Sequence, residues 1–271
     1  MEAGRFMDLW TNDIKDAVSV LCGCDSVLSD ARLGDVAERI ESGGTLLEPI
    51  DCEGWGALEV WRVRVPGMDA AYRHCVFERF AEGSQFDRLR AWRGDGIFAI
   101  ALDGRGFHGQ QGRSWQCGAG NLYLSVALPA SIGIERVNEV MALPSLSVID
   151  ALKPLMRVVP EMKQPNDVVV CDVRGARKLA GCLTEVAVVG ERIVQVRYGI
   201  GIDLWNAPEL ADSLHLQACC VREFIREELA GRTWAALYHE VLFGVLGYVS
   251  RGLARLSGMD SEGNEVSSGG V

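Results

Sequence analysis

The chain reads as an α/β protein of the α+β kind, a mixed and mostly antiparallel sheet with helices packed on it. Three observations predict this. Apolar and polar residues alternate with a period of two over residues 58–65 and 122–128, the signature of a strand with one face toward a core. Turn residues such as Asp172-Val173-Arg174-Gly175 and Gly190-Glu191-Arg192 stand between strand-like runs, as hairpins require. Trp234, Leu237, Val241, Leu242, Val245 and Val249 then recur at helical spacing near the end, with Thr233 placed to cap that helix.

A length of 271 residues suits one large domain, or one domain with an appendage. Hydrophobic residues make up 48% and charged residues 24%, the balance of a globular protein. No apolar run reaches the roughly 18 residues of a membrane span, and the first residues lack a basic and then apolar leader, so a cytoplasmic protein without membrane contact is expected. The nine cysteines include no CxxC pair, which favours reduced thiols over a disulfide frame. No His or Cys stands at ligand spacing, so no protein-held metal is expected. Net charge is −10, and residues 1–60 hold 13 acidic side chains against four basic ones. A nucleic-acid reader needs the opposite balance, which argues against DNA as a partner.

In chain order, residues 1–57 read as a short, acidic, helical N-terminal extension. Ile14, Val18 and Leu21 recur in one segment and Leu33, Val36 and Ile40 in another. Residues 58–256 read as the main domain. Residues 58–65 are a strand, 68–81 a helix and 98–102 a short strand. Helices follow over 131–141 and 144–157, the second with Pro144 in its first turn. Residues 193–200 form a strand that runs on through Gly199 and Gly201, where missing side chains let a backbone or a ligand approach. The chain is helical from 209 onward, with 221–229 as one segment. Residues 257–271 read as a disordered polar tail.

Two stretches carry chemistry. The first is Gly104-Arg105-Gly106-Phe107-His108-Gly109-Gln110-Gln111-Gly112-Arg113-Ser114-Trp115, a glycine-rich and mobile loop. Its backbone N–H groups can wrap a phosphate while Arg105 and Arg113 offer planar donors. In the strand that follows, one face is apolar and the other presents Asn121, Tyr123 and Ser125 to a ligand. The second stretch runs from Lys163 to Glu185 and reads as a β-hairpin. Antiparallel pairing brings Asn166 and Asp167 beside Lys178 at one end. Only four lysines stand against 23 arginines, and two of the four, Lys163 and Lys178, fall here.

These residues resemble the catalytic domain of biotin protein ligases, within the biotin/lipoate protein ligase superfamily. Gly109-Gln110-Gln111-Gly112-Arg113-Ser114-Trp115 resembles that family's GRGRxGRxW adenylate loop, and Gly120-Asn121-Leu122-Tyr123-Leu124-Ser125 its GxNLYLS strand. Lys163-Gln164-Pro165-Asn166-Asp167 resembles KWPND, Arg177-Lys178-Leu179-Ala180-Gly181 resembles RKLAGIL, and Gly199-Ile200-Gly201-Ile202-Asp203 resembles GIGIN. The order and spacing of the blocks favour the biotin branch.

The resemblance implies the fold of that superfamily, related to class II synthetases, and a two-step reaction. Biotin attacks the α-phosphate of ATP, with Mg²⁺ on the nucleotide, to give biotinyl-AMP and pyrophosphate. A lysine of a biotin carboxyl carrier protein or similar carrier domain then takes the biotinyl group. Two anions meet in the first step, and Lys178 is the cation expected to bridge them. Asn166 and Asp167 would position the adenylate or the amine. Lys163 is either a phosphate contact or a surface charge. Arg105, His108, Gly109, Gln110, Gly112, Arg113, Trp115, Asn121, Gly181, Gly199 and Gly201 fall on the adenylate-binding blocks.

The chain also departs from the pattern. Aligned on Trp115, the loop arginines of the family fall on His108, Gln110 and Gln111, and only Arg113 matches. Alternatively Gly104-Arg105-Gly106 is the family's GRG, followed by an insertion. Asp203 replaces an asparagine. The serine-threonine-asparagine stretch of the family has no clear match, and residues 65–69 occupy about its place. A lipoate or octanoate ligase of the same fold, or a degenerate ligase that binds without catalysis, are the alternatives. A homodimer is compatible with the sequence.

Overall fold

The computed structural model describes residues 5–13, 16–17, 20–21, 45–52, 55–65, 68–208 and 216–258. One ten-stranded sheet organises them. Its strands are β1 (Arg5–Trp10), β2 (Thr45–Cys52), β3 (Gly56–Val65), β4 (His74–Glu78), β5 (Ile97–Ala101), β6 (Leu122–Gly133), β7 (Glu161–Lys163), β8 (Asp167–Asp172), β9 (Gly175–Val189) and β10 (Arg192–Ile202). They lie in the order β2-β3-β1-β4-β5-β6-β10-β9-β8-β7. Only the β1–β4 and β4–β5 pairs are parallel, so the sheet is mixed and mostly antiparallel, as the alternation and hairpin turns predict. The helices are α1 (Gln85–Arg88), α2 (Val137–Leu152) and α3 (Trp234–Ser257).

Period-two alternation decides which face is which. Leu122, Leu124, Val126 and Leu128 of β6 point into the main core, where they meet Val140, Val148 and Leu152 of α2 and Leu237, Val241, Val245 and Val249 of α3. Tyr123 and Ser125 point the other way, onto the face that carries the cavity described below. The stripe read along α3 is core. Thr233 caps the helix as expected, its Oγ1 accepting from the Ala236 N–H at 3.4 Å.

The structure corrects the sequence reading in four places. Residues 1–57 do not form a separate helical extension, because β1 inserts between β3 and β4 and β2 pairs with β3. A helical turn does occur at Asp16, Ala17, Val20 and Leu21, the last three buried in the main core; the helix expected over 30–40 lies outside the described residues, as does the tail after Gly258. The helix expected over 68–81 is absent. Residues 74–78 are instead a strand between two parallel neighbours, burying Cys75 and Phe77 on one face and Val76 on the other. Residues 221–229 form two short 3-10 turns.

The fourth correction concerns Pro144. Residues 131–133 belong to β6, and one helix then runs unbroken from Val137 to Leu152 with Pro144 inside it. A proline there removes the bond to the carbonyl four residues back, that of Val140. The fully buried Tyr198 of β10 supplies the missing donor, its hydroxyl lying 3.0 Å from Val140 O. Burial also pushes the Tyr198 hydroxyl far above the ordinary tyrosine range, so it stays a donor at all working pH.

A buried arginine anchors the hairpin that reaches the site. The Arg177 guanidinium is 2.7 Å from both Asp172 and Glu223 and lies 4.9 Å from the Phe224 ring centroid. It ties the β8–β9 hairpin to the segment before α3.

Tyr198→Phe strands the Val140 carbonyl in the core and should destabilise the protein by about 1–3 kcal/mol in urea denaturation. In the Pro144→Ala background the helix supplies its own donor, and the same substitution should cost markedly less. Equal costs in both backgrounds would refute the pairing.

Candidate active site

A cavity of about 460 Å³ opens on the sheet face away from α2 and α3. Its floor is bare sheet. A Cβ on Gly181 would come within 2.7 Å of the Trp115 ring, one on Gly201 within 2.8 Å, and one on Gly199 within 3.1 Å of Phe86. The absent side chains let two aromatic rings, both lining the cavity, lie directly on β9 and β10 and shape a slot there.

Lys178 stands at one end. The β8–β9 register shifts between Val168 and Val169, so that Val168 faces Ala180 while Val169 faces Lys178. Such a bulge re-aims the side chain beside it. The Lys178 backbone bonds outward to the loop beyond β10, through N–H to Gln217 O at 2.8 Å and from Cys219 N–H at 2.9 Å. Its ammonium sits 2.6 Å from Asp167 Oδ1 and 5.1 Å from the Trp115 ring centroid. Asn166 extends the same ladder, its Nδ2 donating to Cys182 O at 2.6 Å while its own carbonyl accepts from Cys182 N–H. The hairpin thus brings Asn166, Asp167 and Lys178 together as its sequence predicts. Lys163 lines the cavity from the β7 edge, with its side chain exposed.

The glycine-rich loop is folded, not loose. His108 and Ser114 form an antiparallel bridge, and Gly109 N–H donates to Arg113 O at 2.6 Å. Gln111 and Gly112 turn the tip at φ of 59° and 70°. Trp115 N–H donates to Phe107 O at 2.9 Å, which holds the indole over the slot with its Nε1 enclosed and unpartnered among the described residues. His108, Gly109, Gln110 and Arg113 line the cavity, but the cations of the loop are partly diverted. His108 Nε2 lies 2.8 Å from Asp87 Oδ2. Burial opposes its charging, yet the bonds to Asp87 and to Gly109 O outweigh this and hold the imidazole above its ordinary value. Arg105 lies outside the cavity, its Nε 2.5 Å from Glu82.

Two further expected residues also lie apart. Gly112 borders a separate, shallower cavity of about 470 Å³. Asn121 is buried behind the site, where Nδ2 donates to Asp203 Oδ1 at 3.0 Å and to Asn206 O at 2.8 Å. It fixes the chain turn after β10 and offers nothing to the cavity directly. Asp203 itself lines the cavity, only 2% exposed. Burial raises its carboxyl well above the aspartate range, with Lys178 pulling the other way.

Sequence reasoning missed Ser84, Gln85 and Phe86, which enter the cavity at the start of α1. The residues proposed for that place fall elsewhere: Met68 is buried in the main core on the opposite face. A four-residue helix leaves no periodicity to find. Among the described residues no cluster of three His, Cys, Asp or Glu is placed to hold a metal, and no helix is long and apolar enough to cross a membrane.

The chain is similar in part to several known proteins. The Bifunctional ligase/repressor BirA of Bacillus subtilis (strain 168) is 24% identical over 115 residues, 42% of this chain and 34% of that protein. Its namesake in Bacillus spizizenii is 24% identical over 111 residues, 41% of this chain and 33% of that protein. The chain therefore spans about a third of the length of these curated relatives. Among solved structures, the biotin protein ligase from Aquifex aeolicus in complex with biotin and ATP aligns with a TM-score of 0.49 at 24% identity, over 70% of this chain and 74% of that one. The biotin protein ligase from Leishmania major in complex with biotin aligns with a TM-score of 0.49 at 18% identity, over 73% and 86%. The family model for biotin/lipoate A/B protein ligases covers residues 85–203, which hold β5, β6, the hairpin and most of the cavity lining. Residues 85–203 of this chain are similar to the Biotin/lipoate A/B protein ligase family.

Proposed function

We propose that the protein is an ATP-dependent ligase that activates biotin as biotinyl-AMP and transfers it to a lysine of a carrier-protein domain. The observation that carries the reading is the Lys178 ammonium at one end of a slot floored by glycines and walled by Trp115 and Phe86. The slot suits a flat ligand, and the ammonium suits the point where a carboxylate meets a phosphate.

In the first step a carboxylate oxygen bonds to the α-phosphorus and the bond to the pyrophosphate oxygen breaks. Charge builds on the phosphoryl oxygens, and Lys178 is placed to offset it. Asp167 keeps the ammonium positioned until an anion arrives, at 2.6 Å. In the second step a carrier amine, having lost its proton, bonds to the acyl carbon and AMP leaves. Asn166 and Asp167, which line the cavity, would position that amine. Mg²⁺ would arrive on the nucleotide and neutralise phosphate charge there.

Asp203 does not oppose this chemistry. Burial raises its affinity for a proton, which favours the neutral acid, a form close in shape to asparagine, while Lys178 pulls the other way. Cys75, Cys117, Cys171, Cys182, Cys219 and Cys220 are free thiols, which fits a reducing compartment. The acidic N-terminal segment supports a role without DNA.

The diverted loop cations favour one second reading, a degenerate ligase that binds biotin or a carrier without activating it. Arg105 turns to Glu82 and His108 to Asp87, leaving Arg113 as the exposed cation of the loop on the cavity.

Pyrophosphate release with Mg-ATP separates the readings. The parent should release pyrophosphate with biotin and not with lipoate, octanoate or no acid. Lys178→Ala should lower that rate by about a hundredfold or more, in line with loss of one transition-state cation. Biotin binding without any release would establish the degenerate reading. A second test uses linkage. Because the folded state holds the Asp203 proton where the unfolded chain has lost it, stability should fall as pH rises from the ordinary aspartate range toward the folded-state value. Asp203→Asn should abolish that fall, as read by urea melts at successive pH values, and a slope unchanged in the variant would contradict it.

A further inference from the structure

His108, Gly109 and Gln110 line both the slot and the shallower cavity beside it, so this stretch of the glycine-rich loop is the wall between the two. Most of what holds the stretch is its own. Gly109 N–H donates to Arg113 O, and Arg113 returns the bond to Gln110 O through its N–H at 3.3 Å and its Nε at 3.2 Å. Among the described residues, one polar bond ties residues 108–113 to the rest of the protein. It joins His108 Nε2 to Asp87 Oδ2 of α1 at 2.8 Å.

The geometry of that bond sets a condition on the ring. Its other nitrogen, Nδ1, faces Gly109 O at 3.2 Å. A carboxylate and a carbonyl only accept, so both ring nitrogens have to donate. A neutral imidazole carries one N–H, and only the imidazolium satisfies both bonds. The charges around the ring come from three elements. Asp87 belongs to α1, and Arg90 follows it, with Nη1 3.3 Å from Asp87 Oδ1. Glu185 of β9 lines the shallower cavity and lies 2.6 Å from Arg90 Nη2. Arg113 stands on the slot side of the loop. Burial opposes charging of the ring, as Arg90 does, but the bonds to Asp87 and Gly109 O prevail and raise its proton affinity. The side chain is 27% exposed, so its proton exchanges with solvent. Such a raised group supports the closed loop fully below the ordinary histidine range. That support is lost as pH rises through the raised value. An arginine in this place would keep its charge at every working pH.

We propose that His108 and Asp87 form a pH-dependent latch: the protonated ring holds the glycine-rich loop closed beside the slot, and loss of the proton frees the loop and lets a ligand leave. The nature of that ligand rests on the reading above that the slot holds an adenylate, whereas the latch rests on the loop alone. Asp87 is a positioning residue, acting on the slot only through His108.

Amide hydrogen exchange over residues 106–114, corrected for the intrinsic effect of pH, reads the latch in the full chain without ligand. Between about pH 6 and about pH 8 the parent loop should lose protection about tenfold, the worth of one charge-assisted hydrogen bond at a partly exposed site. His108→Arg keeps a charge against Asp87 and should be equally protected at both. Asp87→Asn should be poorly protected at both. Protection indifferent to pH in the parent, or a fall carried unchanged into either variant, overturns the proposal, so one folded variant suffices. Dissociation of bound biotinyl-AMP should quicken about tenfold over the same range in the parent and stay constant in His108→Arg. Dissociation indifferent to pH while the loop opens overturns the link from latch to ligand. The two readings fail separately. If no adenylate binds, the reading of the slot falls while the exchange result still decides the latch.

Discussion

The contact on which this site depends is aromatic ring against bare backbone. Where β9 and β10 run side by side, Gly181 pairs with Gly201 and Leu183 with Gly199. Any side chain larger than hydrogen at the three glycines would need the space of Trp115 or Phe86. Removing those side chains weakens the strands locally, since glycine packs nothing and is entropically costly. The sheet tolerates this because both strands are long, 15 and 11 residues, and lie in the interior of the sheet with partners on each side. A short edge strand could not carry such a gap.

How much of this was legible in the sequence follows from the range of the forces involved. The β8–β9 hairpin was readable because its strands, turn residues and polar end lie within about twenty residues of one another. The α3 stripe was readable because helical periodicity repeats over its whole length. The strand at 74–78 was not, because its conformation is imposed by β1 and β5 on either side and its own five residues hold no alternation. β1 was lost for the same reason, its partners lying some fifty residues away. Pro144 misled because the donor that excuses it, Tyr198, is distant in the chain. In the site, Lys178 could be named from local pattern, whereas Gln85 is held by Glu78 and Ile100, which no spacing rule connects. Asn121 was singled out correctly as special but serves the scaffold.

Charge at the site is arranged economically. Lys178, His108 and Arg105 each face a carboxylate, from Asp167, Asp87 and Glu82. An entering anion therefore exchanges one ion pair for another, and the net gain is smaller than for an unpaired cation. The arrangement keeps the cations oriented and avoids a concentration of like charge in a protein that is acidic overall. The partly buried pair at Lys178 is less screened by salt than the exposed pair at Arg105, so the two should differ in their sensitivity to ionic strength.

The tip of the glycine-rich loop has a consequence for design. Gln111 and Gly112 both adopt the left-handed backbone, and for glutamine that conformation costs on the order of 1 kcal/mol. The fold meets that cost through the bonds below the tip, between Gly109 and Arg113 and between Phe107 and Trp115. Position 111 borders only the shallower cavity, away from the slot. An asparagine there adopts the same hand more readily. Residue 111 is thus a handle by which an engineer could stiffen the cover of the slot while leaving every group that faces the ligand as it is.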